Sequence, residues 1–124
     1  MKDKQREIKF RGWHANTNRM VYFNQGNTYS YYKLELKHIL LTDRNDWIPM
    51  QYVGLKDING KDVYEGDILY YKGTLQTGDW RNDFWVTVKY QNGAFEPYRY
   101  PPIAEFEVIG NVYENPELLT NKKE

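Results

Sequence analysis

The chain has 124 residues and a mass of 15.0 kDa, and its 17 basic and 17 acidic side chains give a net charge of zero. It holds 4 Trp, 12 Tyr and 5 Phe beside no Cys and one Ser, Ser30. The lack of Cys excludes disulfides, thiolate zinc sites and thiol nucleophiles, and no apolar run approaches the ~20 residues of a bilayer-spanning helix.

Short apolar stretches punctuated by Gly and Asn, with no sustained 3.6-residue period, point to β structure. Glu7–Arg11 alternates, with Ile8 and Phe10 on one face and a bulge expected near Gly12-Trp13. Asn16–Arg19 is turn chemistry, and Met20–Phe23 is expected to return as the second strand of a hairpin. Residues 24–32 read as an irregular loop, 33–41 as a strand that also fits one helix face, and 42–46 as a turn. Residues 47–54 resume extended structure, since Pro49 disfavours helix.

Asp57–Lys61 is expected to turn at Asn59-Gly60, where glycine supplies positive φ at low cost. Tyr64–Asp67 is a second turn, feeding a strand over 68–72. After a loop over 73–83, Phe84, Val86, Val88 and Tyr90 share one face of a single strand. Trp85, Thr87 and Lys89 share the other. Gln91-Asn92-Gly93 fits a three-residue hairpin, 94–100 runs back, and Pro101-Pro102 ends that strand. Residues 105–113 alternate as a last strand. Asn115-Pro116-Glu117 then opens one helical turn, with an N-cap, a proline at the first helical position and an acid in the first turn.

This order gives a mostly-β single domain over 1–124. Residues 7–50 supply an N-terminal hairpin extension and loop. Residues 51–119 have the rhythm of a small SH3-like barrel with a short C-terminal helical turn, and 120–124 form a polar tail. The start has no apolar h-region and does not read as a secretory signal. Residues 1–62 hold 11 basic and 7 acidic groups, a net +4, and residues 63–124 hold 6 and 10, a net −4.

Three segments resemble the YopX family of bacteriophage and prophage proteins. They are Glu7-Ile-Lys-Phe-Arg-Gly-Trp13, the central block from Met50 to Leu69 containing Asp57-Ile-Asn-Gly-Lys-Asp-Val-Tyr-Glu-Gly-Asp67, and Phe106–Leu119 containing Gly110-Asn-Val-Tyr-Glu-Asn115. Gly12 stands where the family often has Ala, and Val63 where Ile is common. Residues 70–105 carry no match. The resemblance implies a small β-rich protein encoded on a bacteriophage or integrated prophage, and with no secretory signal or apolar span read in the sequence the expected location is the cytoplasm of the bacterial host. It brings no known activity and transfers no functional residue.

Chemistry is sparsely supplied. Counting from Asp57, glycine falls at the fourth position and Ile68 at the twelfth, where a calcium loop needs glycine at the sixth and glutamate at the twelfth. His14 and His38 have no partner ligand at helical spacing. Ser30 lies between tyrosines without a nucleophile elbow. Asp79 with Asp83 and Glu105 with Glu107 are carboxylate pairs, the second expected to flank a buried Phe106 in solvent. No metal, cofactor or catalytic residue is expected, and the chain reads as a non-enzyme.

The aromatic surplus points to binding instead. Tyr and Trp bury area at low entropy cost and keep a polar handle. Trp80, Trp85, Tyr98, Arg99 and Tyr100 are the first candidates for a protein contact or self-association. The alternative is a single-stranded nucleic-acid surface built from Lys9, Arg11, Trp13 and Arg19. Against it stand the balanced charge and a pI near 6.7.

Overall fold

The computed structural model describes residues 7–23, 28–29, 34–35, 46–72, 84–97 and 101–120. These residues form short strands and one short helix, so the chain is mostly β. It divides into two compact units, Met1–Gly54 and Leu55–Glu124.

In the first unit, β1 (Phe10–His14) and β2 (Arg19–Phe23) form the expected hairpin, with Asn18 at φ +55° in the turn. Pairing runs from Phe10↔Phe23 to His14↔Arg19 without interruption, so the bulge expected near Gly12 is absent. Gly12 instead keeps its place in a regular ladder between two strands. Two-residue strands β3 (Thr28–Tyr29) and β4 (Leu34–Glu35) pair with each other, where an irregular loop was expected over the first of them. The rest of 24–45 lies outside the described residues.

The long strand β5 (Trp47–Lys56) runs antiparallel to β1 from His14↔Trp47 to Phe10↔Gln51. Ala15 N donates to Asp46 O at 2.8 Å and Tyr52 N to Lys9 O at 2.9 Å. That alternation puts the Gly12↔Pro49 pair at a non-hydrogen-bonded position. Pro49 therefore removes no ladder bond to β1, which is how a proline is tolerated inside this strand. Val21 and Phe23 form the buried cluster, with Phe10 and Trp47 packed against it. Ile8, expected on the same face as Phe10, is exposed.

The second unit begins with the last two residues of β5, which turn through 57–61 into β6 (Asp62–Tyr64). β7 (Asp67–Tyr71) follows directly and is the centre of a three-stranded sheet. It lies between β11 (Glu107–Asn111) and β8 (Phe84–Thr87). Leu69 pairs with Val86 on one side and Val108 on the other. Ile68, Leu69 and Phe106 are fully buried, and the rings of Tyr71, Phe84 and Phe106 pack tilted or edge-on with centroids 5.4–5.8 Å apart. Such ring pairs add to the area they bury.

The single strand expected over 84–90 breaks at Val88. Val88 is buried and bonds backward, its N to Asp67 O at 2.8 Å and its O to Gly66 N at 2.9 Å. Beyond it the chain restarts as β9 (Lys89–Gln91), which pairs only with β10 (Ala94–Glu96) among the described residues. Tyr90, expected to share the buried face of Val88, is 56% exposed.

The last strand also departs from clean alternation. Residues 103–105 form one 3-10 turn, and the β11–β7 register slips between Val108 and Gly110. Helix α1 (Glu117–Thr120) is the expected single turn, with Leu118 N donating to Asn115 O at 3.1 Å. Glu105, the last residue of the 3-10 turn, and Glu107, the first of β11, are exposed around buried Phe106 as expected.

Candidate functional site

The polar residues of the two C-terminal family-like segments are consumed by turns. Asp57 is only 6% exposed. Its Oδ1 accepts from Asn59 N and Lys61 N, both at 2.8 Å, and its Oδ2 accepts from Val108 N at 2.9 Å. One carboxylate thus folds the 57–61 turn and ties it to β11, which explains an acid two residues before the Asn59-Gly60 of this hairpin. Asp67, 2% exposed, accepts from Tyr64 N at 2.8 Å and closes the turn at 65–66.

The C-terminal segment works the same way. Asn111 Oδ1 accepts from Tyr113 N at 3.0 Å and Glu114 N at 2.8 Å, and its Nδ2 donates to Glu114 Oε1 at 2.7 Å. Asn115 Oδ1 accepts from Asn111 N at 3.1 Å. A Cβ added at Gly110 would sit 2.6 Å from Asn115 Oδ1, so the small residue there makes room for the asparagine. These buried polar groups are satisfied by the fold itself.

His14 joins a local chain in the first unit. Its Nδ1 lies 2.7 Å from Thr17 Oγ1, its Nε2 3.4 Å from Asp46 Oδ2, and its ring 4.5 Å from that of Trp47. The arrangement ties the β1–β2 turn to the start of β5, where Ala15 and Asp46 already share a backbone bond. Among the described residues, no group of three or more His, Asp or Glu converges on a cation position. Nor is any helix there long and apolar enough to cross a membrane.

The residues singled out from sequence fall as follows. Arg11 is 2% exposed, and its Nη1 donates to Tyr22 Oη at 3.4 Å. Lys9 Nζ pairs with Glu7 at 3.4 Å and lies 4.7 Å from the centre of the Tyr52 ring. Trp13 is buried, and only Arg19 of that set is exposed. Trp85 is half-buried, with its ring 6.0 Å from that of Tyr70. Its buried Nε1 meets no acceptor among the described residues. Trp80, Tyr98, Arg99 and Tyr100 lie outside the described residues.

An aromatic pair that reaches solvent among the described residues was not singled out. Tyr90 and Phe95 face each other across β9–β10, with rings 5.0 Å apart and edge-on, beside the Lys89↔Glu96 pair. The signal was in the sequence. A two-residue Asn92-Gly93 turn sets residues 90 and 95 opposite each other, whereas a three-residue loop does not. Both turn residues have positive φ, +54° and +82°, as a two-residue hairpin of this hand requires.

Comparison with curated proteins gives no match. Among solved structures, the crystal structure of protein EF1440 from Enterococcus faecalis is similar, with a TM-score of 0.61 and 23% identity. The match covers 93% of this chain and 99% of that one, so the fold is shared over nearly all of both. The model of the YopX protein family matches residues 9–120. That span includes the Asp57, Asp67 and Asn111 turns, and the chain belongs to the YopX family.

Proposed function

We propose that the protein is a non-enzymatic accessory protein that acts through protein contact, in the first instance with a second copy of itself, using the β9–β10 hairpin. The observation that carries this is Tyr90, 56% exposed and edge-on to Phe95 at the centre of a hairpin outside the three-stranded sheet. A two-stranded ribbon gains stability from packing on something more, and an exposed aromatic pair is an effective anchor for it. Equal numbers of acidic and basic side chains leave two copies without net repulsion. Meanwhile Asp57, Asp67 and Asn111 are engaged in turns, which leaves little for acid–base chemistry.

The nucleic-acid reading is the weaker one. Arg11 and Trp13 are buried and Lys9 is held by Glu7 and Tyr52, so Arg19 is the one exposed basic side chain of the set and no exposed aromatic stands beside it within the set, where single strands need both. The proposal keeps an SH3-like barrel for the second unit, supported by its order of strand, loop, strand, tight hairpin, strand and helical turn. It also keeps the phage or prophage origin that the segments suggest and the host cytoplasm expected from the sequence. Light scattering across a concentration series tests self-association, with Tyr90→Ser as the contrast. A wild-type particle that stays monomeric at high concentration ends the proposal.

A further inference from the structure

The chain has two Asn-Gly dipeptides, Asn59-Gly60 and Asn92-Gly93, and both are exposed in hairpin turns. They are held differently. Gly60 N donates to Asp57 O at 3.0 Å, and its neighbours Asn59 N and Lys61 N donate to Asp57 Oδ1 at 2.8 Å. Gly60 alone has positive φ there, +83°, so the turn is the three-residue kind with glycine last. In the other hairpin both residues have positive φ, and neither the Asn92 side chain nor the Gly93 N–H has a hydrogen-bond partner among the described residues. A Cβ would meet nothing within 4 Å at either glycine, so open space is common to both turns and the hydrogen bonds are what differ.

We propose that Asn92-Gly93 is a site of spontaneous deamidation through a cyclic imide, and that Asp57 protects Asn59-Gly60 from the same reaction. The Gly93 amide nitrogen loses its proton and attacks Asn92 Cγ. The bond from Cγ to the side-chain nitrogen breaks, and ammonia leaves with the released proton. Water then opens the five-membered imide. Addition at Cγ yields aspartate, and addition at the backbone carbonyl carbon yields isoaspartate. No electrons are transferred, and water is the only co-reactant. Glycine after the asparagine leaves the attacking nitrogen unhindered.

At Asn59 the same attack must first free the Gly60 N–H from Asp57 O and release the Asn59 N–H that fixes the turn. Two net hydrogen bonds correspond to a slowing of roughly thirtyfold. Either product at residue 92 places a new negative charge at the tip of the hairpin that carries Tyr90 and Phe95, and isoaspartate also adds one backbone atom. The inference stands on turn geometry and is independent of the proposed function.

The test is peptide mapping by mass spectrometry of the intact protein held at mildly alkaline pH, beside a sample unfolded in urea. The expected result is aspartate and isoaspartate at residue 92 in the folded protein. Residue 59 should convert roughly thirtyfold more slowly when folded than in urea. Amide exchange on the same protein should show Gly60 protected and Gly93 open. Conversion of Asn59 as fast as Asn92 in the folded state overturns the proposal. So does a folded Asn92 that stays intact while both sites react in urea.

Discussion

Removing the Asp57 carboxylate should destabilise the protein more than any exposed substitution. Its two oxygens take three backbone N–H groups, from Asn59, Lys61 and Val108, at 2.8–2.9 Å. A hydrogen bond to a charged group contributes about 1.5–3 kcal/mol net. Asn59 and Lys61 are exposed, so water replaces most of what their amides lose, leaving about 1 kcal/mol each. Val108 is half-buried, and its abandoned N–H costs about 2 kcal/mol. Asp57→Ala should therefore lose about 4 kcal/mol, a large share of the ~5–15 kcal/mol typical of a domain. The chain should still fold, because Ile58 N continues to donate to Phe106 O at 2.8 Å and keeps the turn near β11.

Asp57→Asn sharpens the test. One oxygen becomes an NH₂ group, so a donor faces either the two turn amides or Val108 N, and about 3 kcal/mol should still be lost. Urea unfolding followed by circular dichroism measures both variants. A loss below about 1 kcal/mol for Asp57→Ala would refute the reasoning, since three hydrogen bonds to one buried carboxylate cannot be that cheap to remove.

Gly110→Ala should cost about 2 kcal/mol in thermal or urea unfolding, because its Cβ meets Asn115 Oδ1 at 2.6 Å. Combined with Asn115→Ala the two losses should fall short of their sum, since both act on the same Asn111 N–H contact. Gly93→Ala should cost about 1–2 kcal/mol in the same assay by a different route, since the space is open and only the φ of +82° is unfavourable. Titration with single-stranded oligonucleotides at low salt should leave tryptophan fluorescence unchanged. Quenching that disappears at high salt would restore the nucleic-acid reading.

Much of the fold was legible because turn chemistry is local. The β1–β2 hairpin, the 57–61 and 64–67 turns and the helical turn at 117–120 follow from Asn, Asp, Gly and Pro at particular spacings. What misled was the assumption that alternation continues through a strand. Val86, Val88 and Tyr90 keep a period of two in sequence, yet the chain restarts at Lys89, and Tyr90 reaches solvent. Backbone bonds from Val88 back to Asp67 and Gly66 set that break, and pairing of that range has no local signature. The bulge was misplaced for a similar reason. Gly12 sits in an unbroken ladder, while the slip at Val108–Gly110 accommodates the Asn111 and Asn115 contacts.

The binding candidates show the same limit from another side. Basic residues and Trp13 in one stretch suggested an accessible surface, but β1 lies between two strands and buries Arg11 and Trp13. Burial of an arginine depends on a partner such as Tyr22, which composition does not reveal. The family-like segments were easy to recognise because they are rich in turn residues. Asp57, Asp67 and Asn111 hold backbone amides, so recognition of those segments led to architecture.

The most direct test of a binding role is light scattering of the wild-type protein and Tyr90→Ser over the same concentration range. Tyr90 is 56% exposed and pairs across the hairpin with Phe95, so the substitution should cost about 1 kcal/mol of stability and leave the chain folded. Self-association through the hairpin requires the wild-type mass to rise above 15.0 kDa with concentration while Tyr90→Ser stays at the monomer value. A wild type that remains monomeric throughout, or a Tyr90→Ser variant that associates equally well, contradicts it.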